Sequence, residues 1–483
     1  EVIRAVRAAV GPDFPVWCKL DSREVGKEGG LTIEEAIWNA QQAEAAGVDA
    51  ICVTAYHDTD QFKLHSGSHT PHEPGLNIPF AARIKAAVNV PVIASGRIEP
   101  EVGDKAIADG SLDFVAMGRK MLADPHLPRK LTEARAEDVL PCIYCYTCIS
   151  AIYVNISTRC AVNPATGLEY LRPAKPDGAT PRKRVVVVGG GPGGMELARR
   201  LDAAGHDVVL LEKGDKLGGT LRFASLAYPA NERLLGWLQR QIGKSGVDVR
   251  LKTQATPELL RSLKPDEVVV ATGAQRGMPP IPGSDQPHVL SGDDMRRLMM
   301  GQSSDELKRK TGWLARTATR IGAITGITDN LEFVRKATHQ WMPLGQRVVI
   351  IGGELVGLEL AEFLGERGRQ VTVLDEQQSL GRGLTVVRRM RLIAELREHG
   401  IDLRGGAADI RIGADAVTFT DESGQAQSVP CDQVIVAQGA TGDLSLAQQL
   451  EAQGFTVHAI GDALGVNYIE GAMRGAGDLV DRI

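Results

Sequence analysis

The stretch "RVVVVGGGPGGMELARRLDAAGHDVVLLEKGDKLGG", residues 184–219, runs four valines into a glycine turn, continues with helical periodicity, and closes a second apolar strand on Glu212. Gly189, Gly191 and Gly194 fit G-x-G-x-x-G directly after the first strand. In that pattern the first glycine permits the tight turn, the second lets the backbone approach a pyrophosphate, and the third lets helix and strand pack closely. The helix N-terminus faces the negative charge, and the strand-end carboxylate accepts from a ribose hydroxyl. The segment therefore predicts a dinucleotide-binding unit.

A second copy begins at residue 346, "QRVVIIGGELVGLELAEFLGERGRQVTVLDEQ". Gly352 and Gly357 hold the first and third glycine positions and Gly353 lies between them, but Glu354 stands where the second glycine belongs. Either the turn is re-routed there or cofactor binding is weakened, and a vestigial domain is the alternative. Asp375 ends the second strand and favours a free ribose 2′-hydroxyl, hence NADH over NADPH; Arg369, close in sequence, qualifies that preference.

Two further segments, "VVVATGA" (268–274) and "VHAIGDA" (457–463), each end a strand in a small-residue turn. With "KLGG" (216–219) they resemble the motifs of two-dinucleotide-domain flavoprotein reductases. That resemblance implies FAD on the first unit, with Thr272, Gly273 and Asp462 among its contacts, and a NAD(P)H domain inserted into a discontinuous FAD domain.

Up to about residue 125 short apolar strands alternate with helical stretches: "VWCKL" (16–20), "AICVTA" (50–55), "VIASG" (92–96) and "FVAMG" (114–118). Successive βα units with parallel strands are expected, four of them, or half of an eight-stranded barrel. The last two strands run into "SGR" (95–97) and "MGR" (117–119), so Gly96, Gly118, Arg97 and Arg119 bring backbone and positive charge to the strand ends where barrels bind phosphate. Lys19, at the end of its apolar run, is expected on the same face, where a cation would favour reduced flavin.

Of seven cysteines, four crowd into one segment: "CIYCYTCIS" (142–150) carries Cys142, Cys145 and Cys148, and Cys160 follows. That distribution argues for a metal site in a reducing compartment, while Cys18, Cys52 and Cys431 sit in apolar, strand-like settings as core residues. The close trio with a distant fourth favours an iron-sulfur cluster over zinc, which more often takes two separated pairs.

The order of these segments is more distinctive than any one of them. "PVIASGRIEPEVGDKAIADGSLDFVAMGRKMLADPHLPRK", "PCIYCYTCIS" and "RCAVNPATG" resemble the old yellow enzyme group, in the long subgroup that includes 2,4-dienoyl-CoA reductase, 2-enoate reductases and trimethylamine dehydrogenase. The resemblance covers the whole chain. It implies an α/β chain with the C-terminal half of an FMN-binding (β/α)8 barrel (1–138), a four-iron four-sulfur segment and linker (139–181), an FAD domain (182–290 and 441–483) and a NAD(P)H domain (291–440). It places Lys19 at the flavin pyrimidine edge, and Gly96, Arg97, Gly118 and Arg119 at its phosphate. The family's first four barrel strands, with a catalytic tyrosine, are absent, so the sequence reads as the C-terminal part of a longer protein. The loop "YHDTDQFKLHSGSHTPHEPG" (56–75) offers proton-handling candidates: His57 and Tyr56 first, then His69, with His65 and His72 also present.

The resulting expectation is an NADH-dependent ene-reductase passing electrons from FAD through a 4Fe-4S cluster to FMN, and acting on a small-molecule α,β-unsaturated carbonyl compound. The alternatives are an amine dehydrogenase of the trimethylamine dehydrogenase type and a non-catalytic electron relay. A formal net charge of -5 with no basic tract speaks against nucleic acid, and no apolar run approaches the length that crosses a bilayer. A cytoplasmic homo-oligomer is expected.

Overall fold

A computed structural model describes residues 1–57, 74–171, 181–300, 310 and 330–483. The chain divides into two compact units, Glu1–Met121 and Leu122–Ile483.

The first unit has four parallel strands in the order β1 (Trp17–Val25), β2 (Ala50–His57), β3 (Val92–Ser95) and β4 (Phe114–Ala116). The helices Ile33–Ala45, Ile78–Lys85 and Pro100–Ala108 alternate with them. Thr32 opens the first of these helices with a reciprocal capping box to Glu35, and proline stands in the first turn of the other two. Ala36, Ala40, Ile51, Val53, Ile84, Val92 and Ala94 pack into one core on the helix side of the sheet. β1 runs five residues beyond its apolar pattern because its polar residues find partners. The buried Ser22 hydroxyl donates to the Thr54 carbonyl (2.8 Å), and the Glu24 amide donates to the Leu31 carbonyl (2.9 Å).

The second unit contains two five-stranded parallel sheets, one for each glycine repeat. The first is built from Arg184–Val188, Asp207–Leu211, Asp248–Arg250 and Glu267–Val270, with Val457–Ala459 returning from the C-terminal end of the sequence to pair beside Glu267–Val270. The other takes Val289–Ser291, Arg347–Ile351, Gln370–Leu374, Asp402–Arg404 and Gln433–Val436. A two-stranded antiparallel ribbon, Gln275–Arg276 with Ala440–Thr441, carries the chain across and back. Val289–Ser291 thus belongs to the second sheet, and the chain leaves the first sheet earlier than residue 290. A meander of Ala408–Ile412, Ala416–Thr420 and Ala426–Pro430 completes the second lobe. Of the stretch 301–345, residues 301–309 and 311–329 lie outside the described residues; Leu331–Gln340 is helical. Among the described residues no helix is long and apolar enough to cross a membrane.

The glycine turns of the two lobes superimpose in function. Gly189 and Gly352 adopt φ of +114° and +118°, and a Cβ at Gly194 or Gly357 would overlap the carbonyl oxygen of Gly189 or Gly352. Gly194→Ala and Gly357→Ala are each expected to lower stability by about 1–3 kcal/mol through overpacking. Gly243→Ala, a helical position with open space for the methyl, should match or exceed the parent. Thermal denaturation of the three variants checks this.

Candidate active site

In the first lobe the Glu212 carboxylate is engaged by its own loops. Gly190 N–H donates to Oε2 (2.8 Å) and Gly214 N–H to Oε1 (2.6 Å), while Gly218 N–H donates to the Gly190 carbonyl (2.7 Å). A Cβ at Gly191 would meet nothing, so the helix start at Pro192 is open to a phosphate. Thr272 and Gly273 follow the strand Glu267–Val270, whose extension brings the Ala271 carbonyl against Gly189. Asp462 lies in the turn Gly461–Ala463, where its Oδ1 accepts from Asn467 N–H (2.8 Å) and burial pushes its carboxyl upward. The open space at Gly191, in a turn braced by Glu212, fits a dinucleotide such as FAD. Arg276, which sequence reading passed over, stands in the crossing ribbon under the influence of Asp293 and Asp462, and donates to Thr220 Oγ1 (3.2 Å).

The second lobe repeats the device. Gly353 N–H donates to Asp375 Oδ2 (2.6 Å), Gln377 N–H to Asp375 Oδ1 (2.8 Å), and Gly381 N–H to the Gly353 carbonyl (2.6 Å). Glu354 does not re-route the turn: its φ and ψ of -84° and -171° match the -74° and -178° of Gly191. Arg369 lies at the opposite end of the strand Gln370–Leu374 from Asp375, bonded to the carbonyls of Arg367 (3.1 Å) and Met342 (3.3 Å), and so offers Asp375 no counter-charge. The neighbouring cation is Arg382, 3.3 Å from Glu354 and 4.0 Å from Asp375. These residues line a cleft of about 740 Å³ that also touches the helix Thr147–Tyr153 and, at Asn467, Tyr468 and Glu470, the C-terminal part of the first lobe. Tyr468 has a left-handed backbone (φ +56°), and burial, then Glu354, pushes its phenol up to about 12.

The cysteine segment belongs to this same unit. None of its four cysteines is in a disulfide, and Cys142 is buried with Ile143 and Tyr144 in the core shared by both lobes. Burial pushes the Cys145 and Cys160 thiols upward and the neighbouring Cys142 thiol adds to the shift, while the hydrogen bonds they accept work against it. Among the described residues no three His, Cys, Asp or Glu side chains converge on a point that one ion would occupy. Four thiolates on one zinc, at about 2.3 Å each, must crowd together. A four-iron cubane binds each thiolate at a different corner and keeps them further apart. Four cysteine thiols are the donor set that a four-iron cluster takes.

The loop is wound by two tyrosines with left-handed backbones, Tyr144 (φ +54°) and Tyr146 (φ +61°), one on each side of Cys145. Such conformations cost about 1–3 kcal/mol each and persist only where surroundings enforce them. Here Arg391 Nη1 donates to the Tyr146 hydroxyl (2.9 Å) and Tyr228 Oη donates to the Tyr144 carbonyl (3.2 Å). Arg391 Nε also donates to Glu395 (2.7 Å), and Arg388 contacts Glu362 (3.2 Å) and the Tyr228 ring (4.8 Å). Burial pushes Glu362 up to about 7 and shifts Glu359 in the same direction. Sequence reading missed this network because its members come from four separate segments.

In the first unit Gly96 (φ +106°) and Arg97 (φ +45°) turn the chain at the end of β3, and Gly118 and Arg119 begin the short helix after β4. A buried ion pair, Lys120 with Glu99 (2.6 Å), braces these two loops against each other. Lys19 lies in the body of β1, level with Cys52, Ile93 and Phe114 in the register, three positions before Gly96. The run to Val25 moves the strand end beyond it. Leu20 and Cys18 pack on the helix side, so alternation places Lys19 on the opposite face. Tyr56 and His57 close β2, opposite Glu24 and Val25, while His65, His69 and His72 fall outside the described residues.

The profile of the pyridine nucleotide-disulphide oxidoreductase family matches residues 183–463, and that of the NADH:flavin oxidoreductase / NADH oxidase family matches residues 1–138. The chain belongs to the 2,4-dienoyl-CoA reductase-like flavoproteins, which join these two modules. It is 33% identical over 477 residues to an NADH oxidase of Thermoanaerobacter brockii, covering 97% of this chain and 66% of that one. A cinnamate reductase of Clostridium sporogenes is 29% identical over 506 residues, with 100% and 68% covered. A solved 2-naphthoyl-CoA reductase in complex with 2-naphthoyl-CoA superimposes with a TM-score of 0.84 at 27% identity, over 100% of this chain and 67% of that one. The chain thus spans about two thirds of the length of these relatives. The two modules are those named for NADH:flavin oxidoreductases and for pyridine nucleotide-disulphide oxidoreductases.

Arg391→Ala leaves the Tyr146 hydroxyl and Glu395 without this buried partner. It is expected to cost about 3–5 kcal/mol. Denaturant titration, with iron retention of the purified protein measured in parallel, checks both the stability and the hold on the cysteine loop.

Proposed function

We propose that this chain belongs to an NADH-dependent ene-reductase acting on an α,β-unsaturated carbonyl compound: an enoate, an enone or an enoyl thioester. The observation that carries the reading is the cleft in which Asp375, the cysteine-segment helix and the C-terminal part of the first lobe meet. Names of relatives that reduce cinnamate and 2-naphthoyl-CoA support the substrate class. FAD, a 4Fe-4S cluster and FMN, when bound, would supply the hydride acceptance, single-electron transfer and hydride donation that reduction of such an alkene by NADH requires.

The chain's own residues divide the work. Gly189, Gly191, Gly194, Glu212, Thr272, Gly273 and Asp462 hold FAD, and Gly352, Gly353, Gly357 and Asp375 receive NADH, the acid disfavouring a 2′-phosphate. Cys142, Cys145, Cys148 and Cys160 ligate the cluster. In the half barrel Lys19 supplies positive charge toward FMN, and Gly96, Arg97, Gly118 and Arg119 take its phosphate. His57, Tyr56 or His69 delivers a proton to the α carbon. Seven unbridged cysteines suit a reducing compartment, and we place the protein in the cytoplasm. The resemblance implies a homo-oligomer.

Anaerobic NADH should bleach both flavins of the holoenzyme, and an enone or enoate should restore their colour with one equivalent of reduced product. Cys145→Ser should retain rapid FAD reduction by NADH and lose FMN reduction. Flavins that stay reduced in the presence of a panel of unsaturated carbonyl compounds count against the reading.

A further inference from the structure

Where the first lobe leaves open space at Gly191, the second lobe places a carboxylate on an identical backbone. Glu354 therefore projects from the point at which the fingerprint glycine would let a pyrophosphate come close. Its side chain does not cap the helix Leu355–Gly365; it pairs instead with Arg382, and both are about half exposed along the cleft. Arg382 is also 4.0 Å from Asp375, the acid expected to read the ribose. A bound dinucleotide adds two phosphate charges beside Glu354 and competes with it for Arg382.

We propose that Glu354 holds down the affinity of this site for adenine dinucleotides, and that Arg382 exchanges its pairing with Glu354 for the pyrophosphate when the nucleotide binds. The proposal deepens the NADH reading and rests on it. Weak, readily reversible binding lets the oxidised dinucleotide leave between turnovers, which a chain that must accept fresh NADH each cycle requires. Because the charges are half exposed, their repulsion is screened by salt, unlike a purely steric obstruction.

The test is calorimetric titration of the oxidised holoenzyme with NAD+ and with ADP-ribose, which keeps the pyrophosphate and lacks nicotinamide. Glu354→Gly is expected to tighten both ligands about tenfold at low ionic strength, the order of one or two half-exposed charge contacts. Glu354→Gln, which keeps the bulk, should recover part of that gain. The gain should shrink in about 1 M salt, where the Debye length is about 3 Å. Arg382→Ala should weaken binding, and more so in the Glu354→Gly background, where the guanidinium is committed to the ligand alone. Circular dichroism and bound FAD establish that each variant is folded.

Glu354→Gly binding no tighter than the parent overturns the proposal, as does a gain that salt leaves unchanged or that Glu354→Gln does not share. If neither ligand binds the parent or any variant, the NADH reading itself falls and the proposal with it.

Discussion

The arrangement of the larger unit depends on two buried guanidinium groups, Arg388 and Arg391, on one helix of the second lobe. Between them they meet Glu362, Glu395, the face of Tyr228 and the hydroxyl of Tyr146. A buried ionic network of this kind brings little net stability, since desolvation offsets most of the attraction, but a missing partner is heavily penalised. Its effect is to specify one arrangement. Tyr146 and Tyr144 are drawn into left-handed conformations that they would not adopt alone, and the cysteines between and beside them are held in one loop against both lobes. Thr385 Oγ1 donating to the Cys145 carbonyl (3.2 Å) and Val387 N–H donating to Ser150 Oγ (3.2 Å) continue that seam.

The paired lobes show how one device serves two ends. Each strand-end acid accepts from the glycine amide of its own turn before any cofactor is considered, so the carboxylate proposed to read a ribose also sets the shape of the loop beside it. Its remaining lone pairs are what a ribose hydroxyl would meet. Since the two turns are superimposable in backbone, the difference between the lobes reduces to side-chain chemistry at one position, glycine in the first and glutamate in the second.

Much of this was legible in the sequence because it is written in local periodicity. The valine runs, the glycine spacing and the acid at each strand end are short-range patterns, and all of them lie where those patterns indicate. The reading lost ground where polar residues entered regular structure. β1 continues through Asp21, Ser22 and Glu24 on hydrogen bonds from other segments, which no alternation of apolar residues announces. The meander from Ala408 to Pro430 was missed although its alternating strands and the turn at Gly424 were available. Arg369 was weighed as a neighbour of Asp375 through nearness in sequence, yet an intervening strand of five residues carries them to opposite ends.

The sequence by itself determined the modules, their order, the nucleotide fingerprints and the four-cysteine set, because each is a matter of residue type at short spacing. Only the tertiary structure decided that Glu354 leaves the turn intact, that Arg382 is its counter-ion, and that Arg391 grips the cysteine loop 245 residues earlier in the chain. Those outcomes rest on contacts between segments distant in sequence, and such contacts exist only once burial has fixed which side chains must share the interior.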